Sequence, residues 1–503
     1  RKCDLMSSAA IKTKIQKAGS YVVDKARIIT SSAANKDLVG VLVHIQFYED
    51  IESGSITGQC LVNDLVDMSG NPTVGPIIGQ EYLELKLKTN TSKESDDSVY
   101  DFTENMLLIN SLKVAEHLAS GNKMLLLDFS TSDLQKDQRT RINQSYTGSF
   151  SDIFKTIMRD QLDSRKKLYV EPSAGVKKIV VPYLSPFEMI NMMKRQAVSA
   201  HDGSPTYMFF EDFKGYHFRS LSSMYAQPTT FKYEASVPGS KSIDSKELQG
   251  GDRLNAPALD LESVISHTVG NVGDTAAAQR LGAFGSQLLS YDTYTRRHKT
   301  TIYNYLDNFK FETHVQAGEL NGNNTDFPFI SETPIEDESR ISDFPARRYL
   351  IPYANFVDSD NNYTDRSALH DEHGRFVYNS IRPETWLQRR ESQLYQLQKG
   401  INCTITTNGN TLVDCGDIIE FNVPATAAVK STDNQKYDFF YRGRFLVRRI
   451  RHNFNFDSQK HETTMTLVKD SLMEELTSVD KSLETKPQSN DVIIEDFYDI
   501  ESE

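Results

Sequence analysis

The chain is poor in what catalysts and exported proteins usually carry. Its four cysteines, Cys3, Cys60, Cys403 and Cys415, form no CxxC pair and have no histidine at zinc-ligand spacing, so neither a disulfide framework nor a metal knuckle is signalled. Reduced thiols are expected. Long apolar runs are missing too: "MLLL" at 124–127 is among the longest, against the roughly 20 residues that a membrane-spanning helix needs. The first residues, "RKCDLMSSAAIKTKIQKAG", lack the apolar core of a cleaved leader. A soluble chain with no membrane partner is the expectation.

Catalytic signatures are equally scarce. There is no GxSxG, HExxH, Walker loop or dinucleotide fingerprint, and no segment singles out the paired carboxylates of a glycosidase. "HDEH" at 370–373 lies in a polar loop, where a solvated turn is the simpler reading. "DSDNNYTD" at 358–365 starts like a calcium loop, but Tyr363 stands at the sixth position and Leu369 at the twelfth, where glycine and glutamate are required. No catalytic residue, no cofactor and no metal are therefore expected, and an enzyme is kept as a rival class. Positive charge is short as well: 56 basic residues against 69 acidic ones leave a net −13. Phosphate backbone would be repelled overall, so contact with a polyanion is confined to local patches.

What is present reads as β-rich α+β. At roughly 150 residues per domain, 503 residues predict three or four compact units. Residues 20–145 form the first. In "GQEYLELKLKT" (79–89), Leu83, Leu85 and Leu87 alternate with Glu84, Lys86 and Lys88, the period of a half-buried strand. Gly54 and Gly58 upstream mark turns or a bulge. Short strands with turn residues between them predict a small antiparallel barrel or sandwich.

A connecting α/β domain spans 146–254. "GSFSDIFKTIMRDQL" has helical apolar spacing after a serine cap, and "LSPFEMINMMKRQAV" carries Ser185, Pro186 and Glu188 as cap, first helical residue and capping box. "PTYMFFEDFKGYHFRSL" predicts an aromatic hairpin turning near Lys214 and Gly215. Residues 316–383 read as an irregular insertion, and 383–400 as a helix from Pro383 to Gly400 with Trp386 on its apolar side. The last block is again β. There "VDCGDIIEFNV" (413–423) repeats the pattern of "PIIGQEYLELKL" (76–87), aligning Gly79 with Gly416 and Glu84 with Glu420 across a one-residue gap.

"FFYRGRFLVRRIRHNF" (439–454) concentrates arginine in this acidic chain. Phe445 and Val447 project from one strand face and Leu446 and Ile450 from the other, so the arginines are expected to salt-bridge a barrel strand. The functional alternative is a basic rim at a subunit contact or a lumen-facing patch, and single-strand nucleic-acid stacking is disfavoured by the overall charge. The acidic tail 476–503 ends in "DVIIEDFYDIESE", either a solvating tail or a docking peptide. Arg442, Arg444, Arg448, Trp386, Ile493, Ile494 and Phe497 are the interface candidates.

Taken in order, "SYTGSFSDIFKTIMRDQL", "YLSPFEMINMMKRQA", "MFFEDFKGYHFRSLSSMY", "FGSQLLSYDTYTRR", "WLQRRESQLYQL", "GDIIEFNVP", "YRGRFLVRRIRHNF" and "TMTLVKDSL" resemble the baseplate hub subunits of contractile-tailed bacteriophages, the family of the T-even phage hub protein. The hub fold is shared with the N-terminal half of type VI secretion spike proteins, which normally continue into an OB-fold and a β-helix of which no repeat is seen here; the hub part of such an injection machine and a tail-associated peptidoglycan hydrolase are the alternative readings.

The resemblance implies two tail-tube-like antiparallel β-barrels joined by α/β domains: barrel one at about 20–145, barrel two discontinuous at 255–315 plus 384–475. It also implies a homotrimeric ring in the virion's tail baseplate, assembled in the host cytoplasm. That ring would adapt a hexameric tube to a trimeric central spike. The implied partners are the chain itself, the spike, the tail tube or tube-initiator protein, other baseplate proteins, and DNA passing through the lumen without specific binding. The insertion at 316–383 departs from the T-even pattern.

Overall fold

A computed structural model of the chain describes residues 18–30, 35–64, 77–89, 99–117, 123–235, 261–270, 272–292, 296–316, 326–331, 339–353, 368–370, 376–379, 383–425 and 437–476. The first β-unit comprises β1 (Tyr21–Ile29), β2 (Lys36–Asp37), β3 (Leu42–Asp50), β4 (Thr57–Asp64), β5 (Tyr82–Thr89), β6 (Val99–Asp101), β7 (Leu107–His117) and β8 (Lys123–Thr131). Strict alternation sends Leu83, Leu85 and Leu87 of β5 inward to full burial. On the outer face Lys86 and Lys88 pair with Asp101 and Asp24. The spatial order is β2-β1-β5-β7-β8-β4-β3, with β6 added to β5. Gly58 lies within β4, not in a turn: a Cβ there would stand 2.3 Å from the Phe129 ring and 2.4 Å from the Gln46 carbonyl, so only glycine admits that ring.

The α/β domain follows, with α1 (Ser132–Arg139), β9 (Ser145–Gly148), α2 (Phe150–Thr156, continuing as one π turn to Gln161), β10 (Lys167–Val170), β11 (Lys177–Val180), α3 (Pro186–Lys194), β12 (Tyr207–Asp212), β13 (Gly215–Ser220) and α4 (Leu221–Tyr225). Ser149 caps α2 by accepting from the Asp152 amide. Ser185, Pro186 and Glu188 form the expected capping box on α3. β12 and β13 make the aromatic hairpin, closing between Asp212 and Gly215.

After β14 (Thr229–Ala235) and β15 (Ser263–Val269) the chain makes a satellite: α5 (Thr275–Leu281), β16 (Gly285–Asp292), β17 (Arg297–Asn304), α6 (Tyr305–Phe309), β18 (Arg347–Tyr353), the β19 (Ala368–His370) and β20 (Phe376–Asn379) pair, and α7 (Leu387–Lys399). It then returns through β21 (Ile401–Asn408), β22 (Ile418–Asn422), β23 (Arg444–Asn455) and β24 (Lys460–Lys469). The order β14-β15-β21-β24-β23-β22 closes on itself, because β22 also pairs with β14. This is a six-stranded barrel around Phe421, Phe445, Leu446, Ile405 and Met465.

The two β-units use one plan. Setting aside the short β2 and β6, the first unit in chain order is β1, β3, β4, β5, β7, β8, and the second is β14, β15, β21, β22, β23, β24. Each lies in space as first, fourth, fifth, sixth, third, second. The four pairings among the last five strands are antiparallel in both units.

Local details recur as well. Gly79 and Gly416 both sit at φ +87°, the left-handed region that glycine enters without a Cβ clash. The ladder register shifts at Asn110 in β7 and at Arg448 in β23, and the residue before each donates its amide to the carbonyl two residues after Gly79 (Glu81) or one after Gly416 (Asp417), both at 2.9 Å. Glu84 pairs with Arg27 of β1 at 2.9 Å, and Glu420 with Lys232 of β14 at 3.0 Å. The first strand breaks the match. β14 runs parallel to β22 and bonds β15 to close its ring, whereas β1 runs antiparallel to β5 and the outer edge of β3 is taken by β23.

The β-rich α+β class expected from the sequence is the class adopted. Two expected boundaries differ. The second barrel begins at β14, inside the segment assigned to the connecting domain, because Phe231 and Tyr233 alternate into its core. Residues 285–304, expected in that barrel, pair instead with β18 of the insertion.

Candidate functional site: the strand that joins the two β-units

β23 is long enough to serve both units. Arg444–Leu446 pair with β22 in the barrel wall, and from Arg449 to Asn455 the same strand pairs antiparallel with β3, so one sheet runs on from barrel to first unit. Its apolar residues change allegiance along the way. Phe445, Leu446, Val447 and Ile450 lie in the barrel core, and Phe454 lies in the core of the first unit. The bulge at Arg448 resets the alternation between the halves, which is how both faces of this strand come to be buried.

Its arginines act inside the chain. Arg444 is buried and donates to the carbonyls of Tyr225 (3.0 Å) and Gln227 (2.5 Å). Its own amide and carbonyl are bracketed by the Gln316 side chain at 3.0 Å each. Arg448 reaches Glu52 at 2.7 Å, Arg449 pairs with Asp50, and Arg442 pairs with Glu474 at 2.6 Å. Within the chain Arg442, Arg444, Arg448 and Arg449 thus act as struts, while Arg451 is exposed and donates to the Thr464 hydroxyl at 3.4 Å. Trp386 stands half-buried at the start of α7, its amide on the Pro383 carbonyl at 3.3 Å. Ile493, Ile494 and Phe497 lie outside the described residues.

The sequence predicted the β12–β13 hairpin but not that it locks this joint. Phe209 and Phe218 of β12 and β13 pack in the α/β core, Met208 and Phe210 in the barrel core, and Phe213 at the turn in the first unit, 4.0 Å centroid to centroid from Tyr100. One ribbon thus touches all three cores. Glu211 beside it accepts from the Ile56 amide (3.1 Å) and the Thr131 hydroxyl (2.8 Å) and pairs with Lys166, tying the domain to the first unit.

Acids converge at the seam. Glu49 of β3, Asp212 of β12 and Asp414 and Asp417 of the turn before β22 come from segments up to 368 positions apart. Lys214 answers Asp414 at 2.5 Å. Burial, reinforced by Asp414 and Asp212, holds the Glu49 carboxyl well above the usual range, and burial with its acidic neighbours raises Asp414 to about 7. His452 and His461 lie beside them, fully buried with ring nitrogens 3.2 Å apart. Burial drives His452 down to about 3 and lowers His461, so both are neutral and one donates to the other. Cys415 donates to the Arg448 carbonyl at 3.2 Å, and burial raises all three described thiols, which keeps them protonated and weakly nucleophilic. Among the described residues no three His, Cys, Asp or Glu side chains gather to hold a metal ion.

A buried carboxyl with a raised pKa binds a proton that the unfolded chain releases near pH 4. Its contribution to stability is present below that pH and is lost as pH rises through the folded value. Glu49→Gln removes the loss. The variant is expected to match the native chain near pH 4 and to exceed it by about 1–3 kcal/mol at pH 8. Urea denaturation at the two pH values checks this, and equal differences at both would show that Glu49 holds no extra proton.

Two β-units of one plan, fused through a shared strand and keyed by a hairpin, define an internally repeated β-protein. No family model matches the chain. It is 22% identical over 462 residues, 90% of this chain and 95% of the relative, to the "Probable baseplate hub protein gp334" of Vibrio phage KVP40, which meets the resemblance carried by the sequence motifs. Solved structures to which the chain is similar include the tail protein of Neisseria meningitidis MC58 (8% identity, 90% of this chain and 97% of that one, TM-score 0.47). The 43 kDa tail protein of prophage MuSo2 from Shewanella oneidensis is similar at 8% identity, covering 89% and 98%, with TM-score 0.46.

Proposed function

We propose that this chain is a structural baseplate hub protein of a contractile phage tail, and that three copies close into a ring between the tail tube and the central spike. What carries the reading is the duplicated plan. A trimer of chains that each hold two like β-units offers six similar elements to a hexameric tube while keeping true threefold symmetry for a trimeric spike. The relative named as a hub protein, matched along almost the whole of both chains, supports the same role.

The continuous sheet is the wall we assign to the lumen. Its outer face carries paired polar groups: Gln59 donates to Asp128 (3.0 Å), which also pairs with Lys113 (2.7 Å), Gln46 donates to Asn453 (3.3 Å), Thr406 and Thr464 meet at 3.4 Å, and Arg449 pairs with Asp50. With most of these groups occupied by one another and the chain at a net −13, DNA is expected to pass such a wall without specific binding. Spike, tube and neighbouring baseplate proteins are the partners of such a ring, in the virion's tail, and its work is mechanical, with no reaction to catalyse.

Native mass spectrometry of the purified chain, alone and with a spike protein, tests this. A trimer of 57.0 kDa chains, or an equimolar complex holding three of each, is the expected result. A chain that stays monomeric with both spike and tube proteins present, or that turns over peptidoglycan, overturns it.

A further inference from the structure

Among the described residues, the satellite sheet is covered on one side only. β16 is central, paired antiparallel with β17 and parallel with β18. Its Ser286, Leu288 and Ser290 face is closed by α7, where Gln388 donates to the Ser286 carbonyl and hydroxyl at 3.0 and 3.1 Å. The registers Leu289↔Leu350 and Gln287↔Ile302 place the opposite set of side chains on the other face. There Leu350 is 67%, Ile302 64% and Tyr291 37% exposed, around a half-buried Leu289. Three large apolar groups on adjoining strands make a contiguous patch, and a patch of this kind on a small sheet is normally covered in the working molecule.

The charges on that face have one sign. Arg348 pairs in register with Gln287, and His298 with Tyr291. Both are exposed, and Arg296 in the preceding turn is exposed as well. The nine positions of the face, read from the two registers, include no acid. An occupant should therefore be apolar and acidic together, and within reach.

One segment of the chain fits. Residues 491–500, "DVIIEDFYDI", alternate six apolar residues with four acids, and no base follows Lys486. The described chain stops at residue 476, and the 15 residues from there to Asp491 can span about 50 Å when extended. We propose that the C-terminal segment 491–500 docks on the open face of the β16–β18 sheet. Its Ile493, Ile494 and Phe497 cover Leu350, Ile302 and Tyr291, and its carboxylates meet Arg348, His298 and Arg296. The inference stands apart from the hub reading, since it concerns only how the chain covers its own sheet.

Limited chymotrypsin digestion of the full-length chain, followed by mass spectrometry, reads the docking directly, because Phe497 and Tyr498 are cleavage points. Cleavage there should be slow in the native chain and should accelerate at least about tenfold in Leu350→Asp and in Ile302→Asp. Arg348→Glu, or raising the salt, should accelerate it by a smaller factor. Val180→Asp, equally exposed on the α/β domain at 70%, serves as control and should leave it unchanged. Both tested side chains are solvent-facing, so unchanged melting temperatures are expected and will separate undocking from unfolding. Rapid cleavage in the native chain, or cleavage that is unmoved by Leu350→Asp and Ile302→Asp, overturns the proposal. So does a native dimer that Leu350→Asp converts to monomer without exposing residue 497, since the face would then be closed by a second copy.

Discussion

Phe454→Ala is expected to destabilise the chain by about 3–5 kcal/mol, and to loosen both β-units in one transition. The ring is fully buried in the first unit, edge-on to Tyr21 at 5.1 Å and to Tyr100 at 6.0 Å and stacked on His461 at 4.0 Å. It is carried by a strand whose other half is a wall of the second barrel. Two features keep the resulting cavity from collapsing: the β3 ladder fixes the backbone on one side, and the β23–β24 hairpin fixes it on the other. The penalty should therefore sit near the top of the range for an aromatic truncation. Because Asn455 accepts from the Tyr21 hydroxyl at 2.8 Å and Gly19 from the His461 amide at 2.8 Å, strain at Phe454 also reaches the first strand. Urea denaturation followed by tyrosine fluorescence and by far-UV circular dichroism should give coincident transitions, both moved to lower urea. Two separated transitions, with only one displaced, would mean that the shared strand does not couple the units.

Local features were legible in the sequence because their causes are local. The leucine alternation of β5, the Ser185–Pro186–Glu188 capping box and the turn at Phe213–Lys214 each follow from residues within about ten positions. The ring closure through β14 was not legible, since parallel pairing of Lys232 with Glu420 joins strands 188 positions apart and leaves no local mark. Residues 285–304 misled for a different reason: a one-sided apolar alternation looks alike whether the strand lines a barrel or rests on a helix. For the arginine run, alternation correctly gave a strand buried on both faces, but the bulge at Arg448 decides which arginine is spent where, and only the register shows it. The acidic seam was invisible because Glu49, Asp212 and Asp414 arrive from three different segments.

The arginines give the second large expectation. Arg444→Met should cost about 2–4 kcal/mol, whereas Arg449→Ala, five positions along the same strand, should cost no more than about 1 kcal/mol. Both side chains make charge-assisted contacts, and they differ in what surrounds them. Arg449 pairs with Asp50 on the surface with 53% of its side chain exposed, so water can replace the partner. Arg444 donates from a buried position to the Tyr225 and Gln227 carbonyls, at the end of α4 and on the way into β14, where a methionine would fill the volume and leave both acceptors without their charged donor. Lysine should rescue only in part, since both bonds come from the one terminal nitrogen Nη2 and a lysine ammonium stands one bond short of that position. The loss should also appear as faster amide exchange along β14 and β22, the strands whose pairing this contact pins against α4. Thermal melts of Arg444→Met, Arg444→Lys and Arg449→Ala decide the matter. Equal losses for Arg444→Met and Arg449→Ala would mean that the buried guanidinium contributes no more than a surface pair, and that α4 and the barrel are held together by packing alone.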